Sequence, residues 1–285
     1  DALPISAAGD AGGAVGAALG AYYLMLKQPR VVDPALQDGM KGSYLGPQYE
    51  QSDIEQRLTA VGAKFTVHSD QEIIELTAQA LAEDKAVGWH QGRMEFGPRS
   101  LGGRSILANA RSPSAQKLLN LKVKYRESFR PFAPSVLRED VAEWFEIDVD
   151  SPYMLLVADV QKSKRLEMTP EQQQLFGIEK LNIPRSQIPA VTHVDYSARV
   201  QTIHKETNPK YHALVSRFKE LTDCPVVVNT SFNVRGEPIV CTPEDAFRCL
   251  MGTEIEFLVV GNSIMRKEDQ DPALKLDYKN AYELD

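Results

Sequence analysis

The chain has no excess of positive charge. Lys and Arg number 32 against 39 Asp and Glu, a formal net charge of -7 over 285 residues. Bulk electrostatics therefore do not draw it to nucleic acid or to an anionic membrane, and any basic site must be local. It has few cysteines: Cys224, Cys241 and Cys249 form no paired zinc-ribbon spacing, and an odd number argues against a closed disulfide framework. That usage points to the cytoplasm. No apolar run approaches the length needed to span a bilayer, and the opening residues lack the basic stretch of a signal peptide. An initiating Met is also missing, so the chain reads as cut from something longer.

What is present is the makeup of a globular protein, 43% hydrophobic and 25% charged, long enough for one large domain or two smaller ones. The most informative run is Gly88–Arg104, with five glycines and three arginines, Arg93, Arg99 and Arg104. It lies between two apolar runs, Ala86–Trp89 and Ser105–Ala108, that read as strands. Glycines allow a backbone to approach a ligand closely, and arginines present forked donors matched to phosphate and carboxylate oxygens. A glycine-rich turn with solvated arginines is the plain alternative, and a polyanionic ligand is the expected guest.

Around this run the pattern alternates helix and strand. Asp10–Ala21 is a helix whose first turns carry almost no side-chain bulk, suited equally to tight packing on a sheet and to a ligand at its N-terminus. Residues 28 to 49, punctuated by proline and glycine, read as a connection, with a domain boundary near Leu45-Gly46-Pro47. Ser52-Asp53-Ile54-Glu55 and Ser69-Asp70-Gln71-Glu72 are capping-box patterns, each predicting an amphipathic helix. Ser112-Pro113-Ser114 starts another, which ends in a second basic cluster, Lys122 to Phe132. Lys124 and Arg130 are too far apart for one helical turn, so a bend is needed to aim both at one point. Residues 161 to 188 are polar and read as an exposed excursion.

Arg199 then falls mid-strand among small and apolar neighbours, where an unpaired charge is costly, and so needs an anionic partner. Val226-Val227-Val228 is a buried strand whose carboxyl end switches to Asn229-Thr230-Ser231, the position at which open α/β sheets bind ligands. Thr242-Pro243-Glu244-Asp245 opens a further helix, and Phe257–Gly261 is a closing strand. Taken with Arg99, Lys124, Arg130 and Arg199, the Asn229 strand end makes a convergent anion site.

Three segments together, Gly92-Arg93-Met94-Glu95-Phe96-Gly97-Pro98-Arg99-Ser100-Leu101-Gly102, Phe129-Arg130-Pro131-Phe132-Ala133-Pro134 and Val228-Asn229-Thr230-Ser231-Phe232-Asn233, resemble the O-carbamoyltransferases of nodulation-factor and antibiotic tailoring. The resemblance implies an α/β fold: a YrdC-like open twisted mixed sheet with flanking helices over residues 45–285. Before it, residues 1–44 would be the short C-terminal remnant of an actin-like (ASKHA-type) domain and its linker. It implies a two-step reaction, in which carbamoyl phosphate and ATP give carbamoyl adenylate, and an actin-like half then transfers the carbamoyl group to a hydroxyl acceptor with a metal ion assisting. By the same resemblance Arg99, Lys124, Arg130, Arg199, Asn229 and Ser231 bind substrate and nucleotide, with Lys124, Arg130 and Arg199 as the catalytic cations. Mg2+ would accompany ATP. Asp10 matches a carboxylate holding Fe2+ or another divalent metal in the actin-like half, where the other ligands are two histidines. This chain departs there, since its five histidines all lie beyond residue 45. The implied partners are thus the two phosphorylated substrates, the hydroxyl acceptor and the missing amino-terminal half, with a second copy of the chain left open and no membrane. Rival readings are an RNA-binding YrdC-like module, which the negative charge disfavours, and a threonylcarbamoyl-adenylate synthase of tRNA modification, which the actin-like remnant disfavours.

Overall fold

In the computed structural model, which describes residues 10–31, 38–181 and 183–278, nine strands form one mixed sheet. In chain order they are β1 (Thr66–Val67), β2 (Val87–His90), β3 (Arg104–Asn109), β4 (Ala133–Leu137), β5 (Leu156–Asp159), β6 (Ser197–Ile203), β7 (Val226–Ser231), β8 (Phe257–Val260) and β9 (Ser263–Arg266). Their spatial order is β1-β9-β8-β2-β3-β7-β4-β6-β5. Most neighbours are antiparallel, but β2 with β8 and β4 with β6 are parallel. The expected α/β mixed sheet with flanking helices is therefore present. The apolar runs at residues 87–90, 226–229 and 257–260 are buried along their whole length, as strands covered on both faces must be.

Helices supply that cover. Asp70–Ala82 packs against Pro209–Thr222, and Gln51–Ala60 against Pro243–Gly252. Two starts follow the sequence pattern: Ser69 with Glu72 and Thr242 with Asp245 form complete capping boxes. The Ser52 pattern does not. That helix already begins at Gln51 with Glu50 at its N-cap, and Ser52 lies inside it. The closing strand is also not the last one, because the chain reverses at Gly261 (φ +56°) and returns as β9. The polar excursion holds two short exposed helices, Pro170–Gln174 and Gly177–Leu181.

The small-residue helix Asp10–Gly20 does form, running on into a π-helical turn at Ala21–Met25. It is not pressed against this sheet. None of its described side chains is buried, and Leu24 and Met25 are largely exposed. The side chain of Asp10 lies outside the described residues, so the metal-ligand expectation for it is carried by sequence alone. No helix among the described residues is long and apolar enough to cross a membrane.

Candidate functional site

The sheet register places the site. Ala133 on β4 stands beside Asn229 on β7, and Ser135 beside Gln201 on β6. Arg199, two residues before Gln201, falls level with Ala133. Because alternate residues share a face, Arg199, Gln201, Ser135, Asn229 and Ser231 all look the same way. The sequence brings five residues from three strands to one face without a helix in the motif.

Over this face lies the turn Phe96–Gly103. Asn229 Nδ2 donates to Ser100 O (3.1 Å), to Ser135 Oγ (3.0 Å) and to Gln201 Oε1 (2.8 Å). Gln201 Nε2 and Tyr44 Oη donate to Leu101 O, at 2.8 and 2.7 Å, and Trp89 Nε1 to Gly102 O at 3.0 Å. The carbonyls of Ser100, Leu101 and Gly102 are thus engaged, while the Arg99 Nε and Ser100 Oγ beside them are not. Four buried polar atoms here have no partner among the described residues: Arg99 Nε, Ser100 Oγ, Arg199 Nε and Asn229 Oδ1. Among the described residues Arg199 has only the Met154 Sδ, at 3.9 Å, and burial followed by the nearby Arg99 charge pushes its pKa down. Two half-buried guanidiniums close together, with no carboxylate bonded to either among the described residues, form a place suited to an anion.

The three arginines of the glycine-rich run part company here. Arg104 does not face a ligand. It is fully buried and donates to the carbonyls of Gln91 (3.1 Å), Gly92 (3.2 Å), Gly103 (2.9 Å) and Pro47 (3.2 Å), clamping the run to the connection before it. Arg93 is exposed and donates to Gly46 O at 3.1 Å. Of the three, Arg99 alone has a buried guanidinium nitrogen that no described residue satisfies.

The second basic cluster bends as its spacing required. Helix Ala115–Leu118 widens into a π-helical turn at Leu119–Val123, and Tyr125 takes a positive φ of 49°. The returning chain is tied back by Asn120, whose Nδ2 donates to Ser128 O (3.1 Å) and Arg130 O (2.9 Å). Lys124 and Arg130 consequently line one cavity of about 350 Å3, together with Arg126, Ser231, Asn233 and Arg235. Lys124 is buried, its Nζ donating to Ser231 O, Ser231 Oγ (3.1 Å), Asn233 O (2.9 Å) and Asn233 Oδ1 (2.8 Å). All of these acceptors are neutral. Burial, then the Arg126 charge, brings its pKa down to about 7. Arg126 lies over the Phe132 ring at 5.0 Å, and burial followed by the Arg130 charge lowers it to about 10. Arg130 is half-exposed and paired with Glu127 at 3.0 Å.

Arg126 and Asn233 were not among the residues the sequence singled out. Both had a signal. Asn233 continues the alternation Asn229, Ser231, Asn233 on one face, and Arg126 stands two residues from Lys124. The two groups of cations meet at β7, where Asn229 and Ser231 lie about 7 Å apart along the strand. No group of three His, Cys, Asp or Glu side chains among the described residues is placed to hold a metal ion.

The chain belongs to the carbamoyltransferase C-terminus family, whose model matches residues 78–267. It is 58% identical over 283 residues to an uncharacterized protein of Synechocystis sp., covering 98% of this chain and 46% of that one. Identity to the nodulation protein NolNO of Sinorhizobium fredii is 37% over 270 residues, covering 93% and 36%. Identity to the 3'-hydroxymethylcephem-O-carbamoyltransferase of Streptomyces clavuligerus is 37% over 190 residues, covering 67% and 32%. The chain therefore spans less than half the length of these relatives. A solved structure of full-length HypF in its phosphate- and nucleotide-bound form aligns with 73% of the chain over 22% of its own, at 20% identity and a TM-score of 0.41, too low to bear on the site.

Proposed function

We propose that this chain is the YrdC-like, carbamoyl-activating part of an ATP-dependent O-carbamoyltransferase. It binds carbamoyl phosphate and ATP, as its Mg2+ complex, and forms carbamoyl adenylate, with a water consumed and phosphate and pyrophosphate released. The observation that carries the reading is the pair Arg99 and Arg199, half-buried together without an anionic partner. Beside them the Lys124 cavity adds a second cationic end. Two phosphorylated substrates crowd negative charge into one place, and fixed cations stabilise it without reorganising at the moment of reaction. In this reading Lys124, Arg130 and Arg199 act on phosphate or carbamoyl oxygens, while Asn229 and Ser231 orient the carbamoyl or α-phosphate end. Residues 1–44 belong to an actin-like half, in which Asp10 would join histidines of that half around Fe2+ or another divalent metal and a hydroxyl-bearing acceptor would be carbamoylated.

Calorimetric titration tests the binding step. Wild-type protein is expected to bind carbamoyl phosphate and Mg-ATP, and Arg199→Ala to weaken the anion by about one to two orders of magnitude, the worth of a charge-assisted contact. Unchanged binding in folded Arg99→Ala and Arg199→Ala variants would remove both arginines from the site.

A further inference from the structure

We propose that Glu95 is a positioning residue, whose buried carboxylate folds the Phe96–Gly103 turn so that Arg99 is held beside Arg199 before any anion arrives. The inference rests on the reading of Arg99 and Arg199 as the anion site and adds a residue to which no role has been given.

The geometry is local and specific. Glu95 is 7% exposed, yet no lysine or arginine forms an ion pair with it among the described residues. Its Oε1 instead accepts from the backbone N–H of Leu101 (2.6 Å), Gly103 (2.7 Å) and Arg104 (3.4 Å). A carboxylate gathering several backbone N–H groups of one turn makes strong charge-assisted bonds and fixes the path of the turn that supplies them, the intervening Gly102 N–H donating to Ser105 Oγ at 3.0 Å. Here that turn carries Arg99 and Ser100. Gly103 permits the approach, since a Cβ there would come within 3.1 Å of Glu95 Oε2 and 2.8 Å of Arg93 O.

The other fastenings fit the same purpose. Tyr44, Gln201 and Asn229 hold the carbonyl side of the turn, and Glu95 holds its N–H side. Between them every bond goes to backbone, and the Arg99 Nε is left without a partner. Two like charges repel, so Arg99 would swing away from Arg199 on a loose loop. A turn fastened from both sides keeps the pair together and leaves less ordering for the ligand to supply.

A double-mutant cycle separates positioning from mere support. Carbamoyl-phosphate binding is measured by calorimetry on the 285-residue chain and its Glu95→Gln, Arg99→Ala and doubly substituted variants, with folding checked by circular dichroism. If Glu95 acts through Arg99, Glu95→Gln weakens binding by about tenfold in the wild-type background and hardly at all in the Arg99→Ala background. Equal losses in both backgrounds would overturn the proposal by making Glu95 a general support of the fold. An Arg99→Ala variant that binds as well as wild type would overturn the site reading itself, and the inference with it. Should Glu95→Gln fail to fold, Tyr44→Phe, which removes a single hydroxyl bond to Leu101 O, runs the same cycle with the same two outcomes.

Discussion

At the scale of single residues the site rests on buried cations held by neutral partners. Lys124 is surrounded by neutral acceptors, and its pKa of about 7 lies well below the ordinary lysine value of about 10.4. Two consequences of opposite sign follow. In the apoprotein the unfolded chain holds this proton up to about pH 10 while the folded chain releases it near pH 7, so the group's contribution makes stability rise with pH across that window. A phosphorylated ligand needs the charged form, so affinity falls as pH rises above about 7, by at most about tenfold per pH unit. Lys124→Met is expected to flatten that slope in carbamoyl-phosphate titrations from pH 6.5 to 9, and a variant keeping the wild-type slope would exclude Lys124. Much of this residue set was legible in the sequence. Arg199 stands out as a cation mid-strand among small and apolar neighbours, Arg99 by its place in the glycine-rich run, and Lys124 and Arg130 by the second basic cluster. Arg104, in the same run as Arg99, is instead satisfied by five backbone carbonyls, three from its own run and two from the distant Pro47 and Cys241, which spacing cannot reveal.

Among the elements, strands with strong apolar runs and helices with complete capping boxes matched their patterns. The short edge strand Thr66–Val67 and the returning β9 did not, since two to four residues carry too little periodicity to distinguish strand from loop. The turn over the sheet is where glycine's role becomes quantitative. Gly102 has a φ of +109°, and a Cβ there would sit 2.3 Å from the Tyr211 ring, whereas Gly92 has a φ of +54° and open space around it. Gly102→Ala should therefore cost roughly 2–4 kcal/mol through strain and overpacking, and Gly92→Ala about 1 kcal/mol through strain alone. Thermal unfolding of both variants checks the order. Equal losses would mean that the turn does not pack on Tyr211.

For the whole molecule, the register of β4, β6 and β7 sets residues 199, 229 and 231 on one face, the turn carrying Arg99 is bonded over it through Asn229, and Lys124 reaches it through Ser231, a convergence the sequence offered only as a list of candidates. The family match spans residues 78–267, and the chain covers less than half the length of its longer relatives. On this account the chain makes carbamoyl adenylate, while carbamoylation of a hydroxyl belongs to the actin-like half. The most direct measurement is pyrophosphate release from Mg-ATP by the 285-residue chain, with and without carbamoyl phosphate, alongside a search for carbamoylated acceptor. The account predicts release that depends on carbamoyl phosphate, is lost in Arg199→Ala, and is accompanied by no carbamoylated acceptor. Pyrophosphate release indifferent to carbamoyl phosphate, or to the loss of Arg199, would contradict it.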